Sequence, residues 1–124
     1  YHTNPQELRL RMVTNIDKEF NCPVEATLQI IGGKYKSIIL WYLLDGPKRY
    51  SHLQRAIPQA TNKMLSQQLR DLESTGIVLR QVFPEVPPHT EYSLTELGET
   101  LRPLLKTMCQ WGEDHMADHI AMAK

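Results

Sequence analysis

ATNKMLSQQLRDLESTG, residues 60–76, reads as one helix whose two faces differ in kind. Thr61 suits the N-cap, where a hydroxyl accepts from backbone N–H groups that lack an intrahelical partner. Gly76 suits the left-handed position just past the last turn. Leu65, Leu69 and Leu72 recur at i, i+4 and i+7, a narrow apolar stripe that must face a core. Lys63, Ser66, Gln67 and Arg70 fall on the opposite side, with no carboxylate before Asp71 and Glu73. Such side chains suit a DNA major groove: Lys and Arg meet phosphate or guanine, Gln and Asn meet adenine, Ser and Thr meet either. A solvated helix carries a polar face too, so the neighbours of this helix decide between the two readings.

Upstream, Ser51 followed by Gln54 forms a capping box and predicts a helix over 51–57, ended by Pro58. His52, Leu53, Ala56 and Ile57 would share its apolar face. The turn Pro58-Gln59-Ala60 joins it to the next helix. Two short helices across a tight turn, the second polar outside, form a helix-turn-helix pattern. Downstream of Gly76 the period changes to two, with Val78, Arg80 and Val82 alternating with Leu79, Gln81 and Phe83. Pro84, Pro87 and Pro88 stiffen a loop, and residues 91–94 read as a return strand. A hairpin at this place is a wing.

Pro23 suits a first helical position, which makes Cys22 an N-cap; Val24, Leu28 and Ile31 supply the apolar spacing and Gly32-Gly33 the stop. KYKSIILWYLL, residues 34–44, is apolar on every side from Ile38 onward and is expected to be the central core helix, broken by Asp45-Gly46-Pro47. Arg49-Tyr50 reads as a short extended link. Residues 5–19 have weak helical spacing through Leu8, Met12 and Ile16 and are expected to form an N-terminal arm or helix. Thr95 caps a long final helix, in which Pro103 removes one backbone bond and is expected to produce a kink near the start. Its stripe (Leu97, Leu101, Leu104, Leu105, Met108, Trp111 and Met116) is longer than one small domain needs, and invites a second subunit.

A chain of 124 residues is expected to be one domain. That length buries roughly two thirds of the unfolded surface, enough for a core without staples. The longest apolar run, 37–44, falls well short of the ~20 residues of a membrane span, and there is no signal-peptide pattern. The chain opens on Tyr1 rather than Met, which leaves room for leading residues. The net charge of zero would argue against a polyanion partner, but it conceals a partition. Residues 34–80 carry eight cations against three acids, a net +5, whereas residues 81–124 carry −4 and residues 1–33 carry −1. The positive field therefore lies where the polar-faced helix lies.

Cys22 and Cys109 match neither a zinc pattern nor a disulfide framework, and two free thiols fit a reducing compartment, the cytoplasm. Helix N-termini stabilise thiolates, which makes Cys22 a candidate redox sensor, against the plain reading of a small cap. Cys109 reads as a packing residue beside Met108. His115 and His119 have a zinc-compatible spacing but no evident third ligand, so a solvated helix end is the better reading and no metal is expected. Trp41 and Trp111 read as core and interface aromatics, with a ligand pocket between them as the alternative. No nucleophile–base arrangement, phosphate-binding glycine loop or catalytic carboxylate pair points to an enzyme, and no cofactor is implied.

Four strings in this order, CPVEATLQIIGGKYKSIILWYLL, GPKRYSHLQRAIPQATNKMLSQQLRDLESTGIVLR, VPPHTEYSLTELGETLRPLL and QWGEDHM, resemble the HxlR-type branch of the MarR-like winged helix-turn-helix regulators. The likeness covers about residues 20–116. It implies an α+β, mostly α, winged helix-turn-helix with a two-stranded wing at 78–94 and N- and C-terminal dimerisation helices. The parts would be an arm at 1–20, a DNA-binding core at 34–94 and a dimerisation helix at 95–124. The implied function is a dimeric bacterial transcription regulator, usually a repressor, on a pseudo-palindromic DNA operator.

The expected DNA contacts are Lys63, Ser66, Gln67 and Arg70 on the recognition helix, with Thr61 and Asn62 at its start. Lys34, Lys36 and Arg49 would join them from the cationic segment, and Arg80 and His89 from the wing. The resemblance also implies oxidant or electrophile sensing at Cys22, since members of the family use a cysteine at that position. One departure is His89, where the family commonly has Arg or Lys after the paired prolines; it shifts the expected phosphate work towards Arg80. The alternatives are a winged protein-interaction module without a DNA target, and a regulator that answers a small-molecule ligand without redox chemistry.

Overall fold

The structure, a computed structural model, describes residues 11–121. In chain order it contains helices α1 (Pro23–Ile31) and α2 (Lys36–Leu43), strand β1 (Lys48–Arg49), and helices α3 (Tyr50–Ala56) and α4 (Asn62–Ser74). Strands β2 (Val78–Phe83) and β3 (His89–Leu94) follow, then the single turn α5 (Glu96–Glu99), helix α6 (Arg102–Met116) and a 3-10 turn, Ala117–His119.

Leu65, Leu69 and Leu72 of α4 are fully enclosed, as the stripe requires. They join one core with Ile39, Leu40 and Leu43 of α2, Leu53 and Ile57 around α3, and Leu105 of α6. Among the described residues no polar or charged side chain is fully buried there, so hydrophobic burial dominates the packing of the helices. Each such Leu or Ile contributes about 1.5–3 kcal/mol relative to exposure.

Both ends of α4 are closed. The Thr61 hydroxyl accepts from the Met64 N–H at 3.1 Å. At the other end Gly76, at φ +88°, reverses the chain so that its N–H reaches the Glu73 carbonyl and the Ile77 N–H reaches that of Leu72. This is the Schellman arrangement, completed by contact between two buried apolar residues, Leu72 and Ile77. The carbonyls still open are taken by the N-terminal arm. Asn15 Nδ2 (2.7 Å) and Thr14 Oγ1 (3.0 Å) donate to Ser74 O, and the Thr14 N–H donates to Thr75 O at 3.2 Å. Asn15 stands at φ 60°, so residues 11–19 form a strap and not the helix that the spacing suggested; residues 5–10, with Leu8, lie outside the described residues. Asn tolerates that conformation better than most residues.

Other expectations shift. Gly33, at φ +84°, delays α2 to Lys36, and α2 is not enclosed all round, because Trp41 stands 40% exposed. Helix α3 starts at Tyr50, one residue before the proposed capping box, and Ser51 caps nothing. The cause is β1: Lys48 and Arg49 pair with Tyr92 and Glu91 of β3, which holds the chain extended up to Arg49. The sheet therefore has three strands in the order β1-β3-β2: the two-stranded wing expected, β2–β3, with β1 added along β3. His52 is exposed and takes no part in the core. The wing strands pair in register from Val78↔Leu94 to Phe83↔His89, so the return strand begins two residues earlier than its alternation suggested.

The final helix is two pieces. Thr95 caps α5 by accepting from the Gly98 N–H at 3.0 Å. A Cβ on Gly98 would lie 2.3 Å from the Ile77 carbonyl oxygen, so only glycine lets α5 sit this close. Pro103 falls in the first turn of α6, where its missing N–H costs nothing, and marks a start instead of a kink. Arg102 ties α6 to α2 by donating to Leu44 O at 3.0 Å. The outer side of α6 leaves Leu104, Met108, Trp111 and Met116 exposed.

Leu69→Ala should lower unfolding free energy by about 2–5 kcal/mol, whereas Leu79→Ala, at a half-exposed wing position, should change it by less than about 1 kcal/mol. Urea titration of the two variants separates them; equal losses would contradict the core described here.

Candidate nucleic-acid interface

The side of α4 away from the leucines presents Lys63, Gln67 and Arg70 to solvent. Ser66 is half-buried because its hydroxyl meets Tyr50 Oη at 3.0 Å. Tyr50 also donates to Asn62 O at 3.3 Å, and the Gln54 amide bonds the Asn62 side chain. Helix α3 thus clamps the first turns of α4, and the expected contacts Thr61 and Asn62 are already engaged, one as cap and one in this clamp.

A cleft opens between α4 and the sheet. Arg49, Arg70 and Arg80 line it with Tyr50, Ser66 and His89, against a single carboxylate, Glu73. Residues of β1, α4 and β2 that are far apart in sequence thus border one cleft. Pairing of β1 with β3 brings Arg49 there, and Arg80 stands on β2 opposite Tyr92.

The outer face of α4 is internally wired. Arg70 Nη2 donates to Gln67 Oε1 at 3.1 Å, and Gln67 Nε2 donates to Asp71 Oδ1 at 3.0 Å. Lys36 Nζ lies 3.5 Å from Asp71 Oδ2, and its side chain is only 15% exposed. Lys36 is therefore tied to the flank of α4 instead of standing free, while Lys34 lies over the Tyr35 ring. His89 is drawn into the hairpin, stacked 4.8 Å from Phe83 between Glu91 (3.0 Å) and Glu85 (3.5 Å). It borders the cleft without projecting from a wing tip. Tyr50, Gln54 and Asp71 went unnoticed as site residues in the sequence; only Asp71 carried a readable signal, its i+4 spacing from Gln67.

Cys22 is exposed and caps α1, its sulfur accepting from the Glu25 N–H at 3.5 Å. Cys109, on α6, is partly covered and donates to Glu113 Oε1 at 3.5 Å. Desolvation, then the hydrogen bond and negative charge of Glu113, push its thiol pKa up. His115 leans on Trp111, and His119 falls in the 3-10 turn beyond α6. Among the described residues no group of three His, Cys, Asp or Glu side chains is placed to hold a metal ion. Trp111 borders a shallow depression with Lys106 and Asp114 in which Trp41 takes no part. Among the described residues no helix is long and apolar enough to cross a membrane.

A helix pair whose second helix turns Lys63, Gln67 and Arg70 outward, backed by a hairpin that adds Arg80 to the same cleft, defines a winged helix-turn-helix transcriptional regulator. The chain belongs to the HxlR-like helix-turn-helix family, whose profile matches residues 30–120. It is 54% identical to the uncharacterized HTH-type transcriptional regulator YkvN of Bacillus subtilis (strain 168) over 95 residues, 77% of this chain and 80% of YkvN. It is similar to the redox regulator HypR in its oxidized form, with 51% identity and a TM-score of 0.73 over 76% of this chain and 97% of HypR. The reduced form of the regulator YodB from B. subtilis matches with 36% identity and a TM-score of 0.66 over 77% of this chain and 95% of YodB.

Iodoacetamide at pH 8 should label Cys22 well before Cys109. A raised pKa keeps Cys109 protonated at a pH where an ordinary thiol, near 8.5, is already ionising. Peptide mapping over time checks the order, and labelling of Cys109 should accelerate only at higher pH.

Proposed function

We propose that this chain is a homodimeric repressor that binds a pseudo-palindromic operator in double-stranded DNA. Two copies of α4 would enter successive major grooves on one side of the duplex, about 34–36 Å apart. The observation that carries this reading is the cleft beside the polar face of α4, bordered by Arg70 of α4, Arg80 of the wing and Arg49 of β1. Gln67 and Arg70 are assigned to base edges or nearby phosphates, Lys63 and Arg80 to phosphate, and Arg49 to phosphate at the cleft. A second copy is supported by the exposed apolar side chains of α1 (Val24 and Leu28) and α6 (Leu104, Met108 and Trp111). Burial of these against the same patch on a partner is the usual closed solution for such a surface. A cytoplasmic setting fits both the DNA target and the free thiols.

The signal is assigned to Cys22. It is exposed at the first turn of α1, whose exposed apolar residues Val24 and Leu28 follow directly. HypR is by name a redox regulator, and YodB has been studied after treatment with diamide. Adding bulk or a cross-link at Cys22 would displace α1 against the partner and take the two recognition helices out of register with the grooves. Repression would then be relieved by geometry, with every DNA-contacting residue intact.

The operator is first obtained by selecting bound duplexes from a random pool. Arg70→Ala should weaken binding to the selected duplex by about tenfold or more, since a good bidentate contact is worth about 1–3 kcal/mol, with little change in melting temperature. Undiminished binding would remove α4 from the recognition role. In band shifts with and without diamide, Cys22→Ser should bind the duplex in both conditions, while wild type and Cys109→Ser release it. Release of Cys22→Ser by diamide would return Cys22 to the role of a cap.

A further inference from the structure

Gln67 has a carboxamide whose two ends are chemically distinct, and both are engaged within α4. Its oxygen accepts from Arg70 Nη2, and its nitrogen donates to Asp71 Oδ1. Turning the amide over would set NH2 against a guanidinium and a carbonyl against a carboxylate, two repulsive pairs in place of two bonds. Asp71 is in turn held by Lys36, whose mostly enclosed side chain fixes the ammonium near Asp71 Oδ2. That pairing offsets a carboxylate that would otherwise repel a nearby phosphate. One lone pair on Gln67 Oε1 and one N–H on Nε2 are left over, an acceptor and a donor side by side. Adenine presents the matching pair in the major groove, the N6 amino group and N7.

We propose that Asp71 is a positioning residue that fixes the orientation of the Gln67 amide and thereby the preference for adenine opposite Gln67, with Lys36 holding Asp71. This rests on the reading of α4 as the recognition helix. Asp71 touches no base itself; it acts through Gln67.

The test uses the full chain and the duplex that wild type enriches from a random pool. Affinity is measured for that duplex and for its single-base variants, across a salt series, with wild type, Gln67→Ala, Asp71→Ala and Asp71→Asn. Wild type should discriminate in favour of adenine at one step, and Gln67→Ala should lose that discrimination. Asp71→Ala should lower it about 5–10-fold at the same step only. Asp71→Asn, which keeps a carbonyl to accept from Gln67, should retain more of it. The slope of log affinity against log salt should not become shallower, because no phosphate contact is removed and the Lys36 ammonium is released from Asp71. Alanine suits a helix interior, so the fold should survive, and a melting curve checks it. If Asp71→Ala keeps full discrimination while Gln67→Ala loses it, Asp71 has no positioning role and the recognition helix stands. A loss spread over every step with a lowered melting temperature makes Asp71 structural and overturns the proposal equally. If Gln67→Ala changes nothing and Arg70→Ala binds normally, the reading of α4 itself falls.

Discussion

The fold depends on the burial of three leucines along one side of α4. Because Leu65, Leu69 and Leu72 are enclosed in a wholly apolar core, α4 has no rotational freedom about its axis. At about 100° per residue, fixing that stripe fixes the bearing of Gln67 and Arg70. The hydrophobic effect has no direction of its own; direction enters through the spacing of the side chains on the helix. A polar outer face thus acquires a defined orientation from apolar contacts on its far side.

Rotation about the axis is one degree of freedom; position along it and the state of the ends are others. The Tyr50–Ser66 contact and the Gln54–Asn62 bond hold the first turns of α4 against α3. At the far end the Schellman turn leads straight into β2, so α4 and the wing move as one piece. Arg80 is thereby kept in the same cleft as Arg70. On the opposite side of the molecule's core, α6 leans on α2 through Leu105 and the Arg102 bond to Leu44 O, and turns its other apolar residues outward. One helix is therefore half inside its own domain and half available to something else.

Much of this was legible in the sequence because the signals are local. The Leu65–Leu69–Leu72 spacing, the Thr61 cap, the Gly76 stop and the alternation after Val78 each lie within a few residues of the feature they specify. What was not legible depends on partners remote in sequence. Ser51 and Gln54 satisfy a capping box on paper, yet the pairing of Arg49 with Glu91 decides where α3 begins. His89 looked like a wing tip because nothing in its neighbourhood shows that the register places Phe83 opposite it. That Arg49, Arg70 and Arg80 border one cleft depended on the strand order, and the net +5 of residues 34–80 indicated only that cations were abundant there.

The strap formed by Thr14 and Asn15 bears on how far the folded unit around α4 extends. It caps the last carbonyls of α4 from about sixty positions away, and it lies before residue 30, where the match to the HxlR-like family begins. The unit that holds α4 in place is therefore larger than the segment by which the family is recognised. A change at Thr14 or Asn15 can then loosen the end of α4 while every residue of the helix itself is unchanged.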